Sequence, residues 1–387
     1  MESGKTWKLN IPTKVYYGRN IWKDALKDLK DILSGTVMIV TTGRSLIRLG
    51  YLEALHREIG ENCRVRSIVL LDEISTNPRL SEIRKGIELG KQKKADAIIG
   101  FGGGSAIDAA KAIAVGISTG EDINALFYRG NISEAKVIPL VAMPTTAGTG
   151  SELSKAAILT DEERKIKNGI RGSALYPRAA IVDSVFTESV PYNVTMESGF
   201  DVLAHAIETY LSRAASPYTR MQSEQAIRIV GEYLPGLSRN LQDAEARGQM
   251  SFASMLMGIN LGNASTCLPH RLQYPLGVRT DMSHGAGLAA LYPAWIELEY
   301  SHSPEDVEHV LRILMQRAVR GKKECLAAMC GFLSSLRLPL NLKSLGIEEG
   351  QLQKMASEVT GNLFNDPAVQ GEGVVWNLYK RAWQGGM

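Results

Sequence analysis

The chain has 387 residues, 44% of them hydrophobic and 22% charged. That is too long for one ordinary domain and enough for two packed cores. Its 44 Lys and Arg nearly balance 41 Asp and Glu, for a net charge of +3, which excludes the electrostatic footprint of a nucleic-acid binder. No segment approaches the roughly 18 uninterrupted apolar residues of a membrane span. Residues 1–5 lack the basic, then apolar start of a signal peptide. The four cysteines, Cys63, Cys267, Cys325 and Cys330, are scattered, and together these features predict reduced thiols in the cytoplasm.

Apolar runs alternate with amphipathic stretches through the first half. Residues 37–40, 67–71, 97–101 and 137–142 read as buried strands. Helical spacing covers 51–55, 79–94 and 105–115, and a β-rich patch follows over 156–183. This alternation predicts a parallel sheet covered on both faces. Past about Pro191 the pattern becomes helical, over 196–211, 217–232, 249–260, 304–317 and 323–335. The expected division is an α/β domain over 1–190 and an all-α domain over 191–387.

Between the third strand and its helix stands Gly100-Phe101-Gly102-Gly103-Gly104-Ser105, continuing to Asp108 and Lys111. Successive glycines let a backbone approach a ligand. A helix start presents unpaired N–H groups and a positive dipole end, which suit a pyrophosphate. Ser105 can either cap that helix or bind a phosphate oxygen. Ser105 also stands where a third fingerprint glycine would be needed, and no Gly-Lys-Ser/Thr follows, so neither dinucleotide nor Walker pattern fits. A second loop, Pro144-Thr145-Thr146-Ala147-Gly148-Thr149-Gly150-Ser151-Glu152, follows the fourth strand. Its hydroxyls and small residues suit either the border of a cofactor or a simple Gly/Thr turn.

Asp201 and His205 are four apart in helical, otherwise apolar text, so they leave one face together. They form either a hydrogen-bonded pair or two metal ligands. His270 and His284 flank a stretch bearing Gly and Pro in the helical half. With them, the set becomes that of a catalytic divalent ion, Fe²⁺ or Zn²⁺. His56, His302 and His309 sit in polar text and are expected to be solvated.

The glycine loop with Asp108 and Lys111, the Pro144–Glu152 loop, and Asp201, His205, His270 and His284 in this order closely resemble the iron-containing (group III) alcohol dehydrogenases, over nearly the whole chain. The resemblance implies a dehydroquinate-synthase-like fold: an N-terminal dinucleotide-binding α/β domain, a C-terminal helical domain and an active site between them. It implies that the four Asp and His residues bind the metal, usually iron. It further implies that Gly102, Gly103, Gly104, Ser105 and Asp108 lie at the cofactor, with Thr145, Thr146 and Thr149 bordering it and Lys167 reaching the nicotinamide side. The expected activity is hydride transfer between NAD(P)H and a short aldehyde or primary alcohol, in a homodimer with no nucleic-acid or membrane partner. A metal-dependent lyase of the dehydroquinate-synthase type is the alternative. Many members carry a second histidine four residues after the third metal ligand; here that position is Tyr274, which either passes the proton or packs against the nicotinamide.

After the first strand come Thr42, Gly43, Arg44 and Ser45 with no carboxylate. NAD-preferring folds often place an acidic residue there for the ribose 2′-OH. Arg44 and Ser45 suit a 2′-phosphate, so the cofactor expected first is NADP(H), with NAD(H) open. Arg271 and Arg279 lie beside the metal histidines. An arginine there either meets an acidic tail on the aldehyde or points to solvent or to a carboxylate such as Glu208 or Asp281.

Overall fold

The computed structural model describes residues 6–132, 134–280 and 282–385. It divides into two compact units. One comprises Thr13–Pro191 with Leu241–Met255; the other comprises residues through Pro12, Tyr192–Asn240 and the chain from Leu256 onward.

The strands of the first unit are β1 (Lys14–Gly18), β2 (Ser34–Thr42), β3 (Arg64–Ile74), β4 (Ala97–Gly102), β5 (Leu140–Pro144), β6 (Ala156–Asp161), β7 (Ile166–Arg171) and β8 (Ala179–Asp183). Six of them form one sheet in the order β1-β8-β5-β4-β2-β3, and every neighbouring pair is parallel. β6 and β7 make a separate antiparallel hairpin. The continuous apolar runs have a direct cause, since β4 and β5 are buried at every position. Successive side chains enter opposite layers: Met38, Val40 and Ile98 join one apolar cluster, whereas Val37, Ile39, Ala97, Ile99 and Phe101 join the other. The fourth strand starts later than its apolar run, at Leu140 rather than Val137. Pro139 has no N–H to give a ladder, although its carbonyl still accepts from Ile98 N at 2.9 Å.

From β2 the chain steps outward to β3, returns across β2 to β4, and then continues the other way. The order therefore reverses between β2 and β4. Ligands of open parallel sheets collect outside the carboxyl ends of the strands at such a point. β2 ends there at Thr42, β4 at Gly102, and Gly102 is in register with Pro144 at the end of β5.

In the second unit, helix Tyr192–Leu211 is buried along most of its length and packs on helices Pro217–Leu237 and His284–Tyr300. The stretch that reads as interrupted by Gly and Pro is instead two helices, Leu268–Thr280 and His284–Tyr300, with Pro275 and Pro293 inside them. An internal proline removes a hydrogen bond and kinks a helix. Here every residue from Leu268 to Gly277 is buried, and tertiary packing of that kind overrides local propensity. Among the described residues no helix is long and apolar enough to cross a membrane.

Candidate active site

In the helical unit the chemistry gathers on Asp201. Its Oδ1 stands 3.2 Å from His270 Nε2, 3.6 Å from His284 Nε2 and 3.6 Å from His205 Nδ1. The ligand atoms of Asp201, His270 and His284 all lie within 4.8 Å of one another. The His205 ring is stacked on His270 with centroids 4.3 Å apart. Asp201 and His205 share one face of Tyr192–Leu211 as i, i+4 partners. His270 lies in the first turn of Leu268–Thr280, and His284 opens the next helix. Close helix approach brings His284 in: a Cβ on Gly285 would stand 2.5 Å from the Glu197 carbonyl oxygen, so only glycine fits there.

Two residues that local spacing left without a role orient these imidazoles. His270 Nδ1 donates to Glu208 Oε1 at 2.6 Å, and His284 Nδ1 donates to Gln273 Oε1 at 2.5 Å. Carboxylate and amide oxygens accept only, so each imidazole carries a proton on Nδ1, and in its neutral form it would offer the Nε2 lone pair to an ion on the Asp201 side. This is the arrangement that imidazole ligands of a metal require, and the donor set of one carboxylate and imidazoles fits a divalent ion. Glu208 is itself held by Cys267 N at 2.8 Å and is fully buried. Its signal in the sequence was the i, i+4, i+7 spacing of Asp201, His205 and Glu208. Burial alone would raise the Asp201 carboxyl, but the three neighbouring histidines outweigh it and hold it well below the usual range. Burial disfavours charge on His270, yet Glu208 and Asp201 together raise its pKa. Two buried carboxylates thus call for positive charge at this point. Glu208→Gln is expected to weaken metal binding about 10- to 100-fold, the usual cost of losing an orienting partner, read by titration against a competing chelator.

In the α/β unit, helix Gly104–Thr119 starts directly behind β4, with Gly103 as its N-cap. Gly102, Gly103 and Gly104 press against the second loop. Thr145 N donates to Gly102 O at 3.0 Å, and a Cβ on Gly103 would lie 3.4 Å from Thr146 Oγ1. A Cβ on Gly104 would lie 2.5 Å from Thr149 Oγ1, so that position must be glycine for the loops to meet. Ser105 does not cap the helix; its hydroxyl donates to Thr76 O at 2.6 Å. Asp108 accepts from Ser151 Oγ and from Ile158 N, the latter at 2.8 Å. Lys111 Nζ lies 3.8 Å from Asp108 and donates to Ser151, Ser154 and Ala156. Burial lowers the Lys111 pKa to about 8, against the opposing pull of Asp108 and Glu152, and burial raises Glu152 to about 7. Asp108 and Lys111 therefore brace the two loops from behind. Lys167, on β7, donates to Asn77 Oδ1 at 2.9 Å. Thr42 ends β2, Gly43 has φ +60°, and Arg44 is exposed as the N-cap of a single helical turn.

The remaining sequence candidates fall as follows. Tyr274 is buried one turn after His270, and its hydroxyl accepts from Arg271 Nη1 at 3.3 Å. Arg279 forms a paired ion contact with Glu358 rather than with Glu208; Asp281, the other expected partner, lies outside the described residues. His309 is not simply solvated, because it meets Glu224 at 2.8 Å.

Two family models match the chain. "Iron-containing alcohol dehydrogenase" covers residues 12–184, and the C-terminal model of the Fe-containing alcohol dehydrogenase family covers 195–383. An NAD-dependent methanol dehydrogenase of Bacillus methanolicus is 29% identical over 368 residues, 93% of this chain and 94% of its own. An NADPH-dependent butanol dehydrogenase of Clostridium saccharobutylicum is 29% identical over 370 residues, 93% of this chain and 92% of its own. The solved structure of a 1,3-propanediol oxidoreductase superposes with a TM-score of 0.90 at 26% identity, covering 98% of this chain and 100% of that one.

Proposed function

The chain belongs to the iron-containing alcohol dehydrogenase family, whose members interconvert alcohols and aldehydes with NAD(P), and we propose that Asp201, His205, His270 and His284 hold the metal of that reaction, iron first and zinc as the alternative. The observation that carries this reading is the pair of imidazoles whose Nε2 atoms face Asp201 while Glu208 and Gln273 hold their Nδ1 atoms. A divalent ion on these ligands supplies Lewis-acid polarisation of a carbonyl oxygen, and a nicotinamide supplies the hydride. The lyase alternative is not favoured, since both family models describe dehydrogenases.

The chain's own residues do the rest. Glu208 and Gln273 keep the imidazoles oriented and in one tautomer. The N-terminus of Gly104–Thr119, with Gly102, Gly103 and Ser105, holds the cofactor pyrophosphate on its unpaired N–H groups. Thr145, Thr146 and Thr149 border the cofactor, braced by Asp108 and Lys111, and Lys167 lies on its nicotinamide side. Tyr274 holds the transferred proton at its phenol oxygen. Its place one turn after His270, on the same helical face, supports that role. The physiological substrate is a small aldehyde.

Exposed Arg44 at the reversal of strand order, with Thr42 and Gly43 before it, supports NADP(H). Arg44→Ala is then expected to raise KM for NADPH about five- to tenfold with little change for NADH. An unchanged ratio of the two cofactors removes the NADP reading. The free cysteines of the described residues support a cytoplasmic setting, and the family resemblance supports a homodimer, which light scattering on the purified protein tests. The decisive experiment is a screen of short aldehydes with NADH and NADPH, with metal analysis on the same preparation. Absence of cofactor oxidation by a metal-loaded protein with every aldehyde would refute the reductase reading.

A further inference from the structure

Arg271 is a buried cation with no carboxylate partner among the described residues. It is 4% exposed. Nη1 donates to Tyr274 Oη at 3.3 Å and Nη2 to Ser265 Oγ at 3.2 Å, both neutral oxygens, and Nε is buried with no hydrogen-bond partner. Arg279, on the same helix, shows the ordinary solution by pairing with Glu358. A buried guanidinium left without an anion is costly, so the missing anion points to a ligand.

The surroundings are built for one. Tyr274 follows His270 by one helical turn and shares its face, which ties the guanidinium to the metal-ligand side of the helix. Ser265 has φ +65°, a left-handed conformation uncommon for a residue with a side chain and frequent at ligand clamps. That backbone sets its hydroxyl against Nη2. Over the guanidinium lies Gly361, exposed and at φ +94°, where a Cβ would stand 3.1 Å from Cδ, 3.3 Å from Nε and 3.5 Å from Cζ of Arg271. The cover is thus a glycine backbone without a side chain. Its segment begins at Glu358, the residue Arg279 holds.

We propose that Arg271, with Ser265, receives an anionic group on the substrate, so that the physiological substrate is a short aldehyde bearing a carboxylate, phosphonate or sulfonate. This assignment rests on the aldehyde-reductase reading above. A guanidinium presents parallel N–H donors that match two oxygens of such a group. The unpartnered Nε supplies one of them, and the Ser265 hydroxyl adds a donor at the rim. Arg279, already neutralised, takes no part in this recognition.

The test compares kcat/KM of the metal-loaded enzyme for 3-oxopropanoate, phosphonoacetaldehyde and sulfoacetaldehyde with that for propanal, in the wild type, Arg271→Gln, Arg271→Lys and Arg279→Gln. At least one anionic aldehyde is expected to exceed propanal by about 10- to 100-fold in the wild type, the worth of a charge-assisted pair. Arg271→Gln brings that ratio close to unity, chiefly through KM; Arg271→Lys restores part of it, and Arg279→Gln leaves it in place. Calorimetry with propanoate, ethylphosphonate and ethanesulfonate reads the same subsite without turnover, and it decides the matter in the wild type should Arg271→Gln not fold. A wild type that prefers propanal and binds none of the three anions overturns the subsite while the reductase reading stands. So does an anion preference that survives Arg271→Gln. Arg271-dependent anion binding without reduction of any aldehyde upholds the subsite and overturns the reductase reading instead.

Discussion

His270→Ala and His284→Ala are each expected to purify without stoichiometric metal and to lose about a thousandfold or more in aldehyde reduction, the loss expected when several kcal/mol of Lewis-acid stabilisation disappears. Each contributes an Nε2 to the Asp201 cluster, and neither neighbour can replace it. The two variants differ in what they leave behind. Removing His270 strands the fully buried Glu208, whose Oε1 meets Nδ1 at 2.6 Å. An unsatisfied buried acceptor costs about 1–3 kcal/mol, more when charged. His284 is the more open side chain, 31% exposed, and its partner Gln273 is neutral. Its loss should therefore spare the fold, so that metal content and unfolding free energy separate ligand loss from structural damage. Elemental analysis, cofactor oxidation and denaturant unfolding on both variants check this. Full metal occupancy and ordinary turnover in either one removes it from the ligand set.

The second large effect is expected at Gly103, with the opposite balance of fold and function. Gly103 is the N-cap of Gly104–Thr119 at φ −69°, ψ −178°, extended backbone open to any residue. A Cβ there meets Thr146 Oγ1 at 3.4 Å, a contact that needs little adjustment. Aspartate is among the favoured N-caps, so Gly103→Asp should fold as well as the wild type, or a few tenths of a kcal/mol better. Its carboxylate would, however, take the N–H groups and the dipole end assigned to the pyrophosphate, and repel that anion. Cofactor affinity is expected to fall by about 100-fold, with metal content unchanged. Titration of the metal-loaded variant with NADH and NADPH, followed by fluorescence, measures it. Undiminished affinity in a variant of wild-type stability would place the pyrophosphate elsewhere.

Much of the fold was legible in local pattern. Fully buried parallel strands read as continuous apolar runs, and amphipathic helices read by their 3.6-residue period, because burial imposes composition position by position. The glycine loop was legible for a similar reason: glycines beside one another between a strand and a helix restrict what that backbone can be doing. Asp201 and His205, one helical turn apart, declared a shared face without any tertiary information.

What local pattern could not reach lies in pairs far apart along the chain. β1 is a short edge strand with mixed burial, and its place beside β8 is set by pairing across the sheet rather than by its own period. Leu268–Thr280 is helical despite Pro275 because burial outweighs the proline, and composition alone points the other way. Ser105 spends its hydroxyl on Thr76, 29 residues earlier. Glu208 orients His270 across 62 residues, and Arg279 finds Glu358 across 79. The types and spacings of the metal-binding candidates, and the run of glycines that makes the loop a candidate for phosphate binding, belong to the sequence itself. Which oxygen orients which imidazole, and which of two arginines on one helix is left without a counter-charge, was decided only when the helices packed, since a hydrogen bond or an ion pair depends on distance in space and not along the chain.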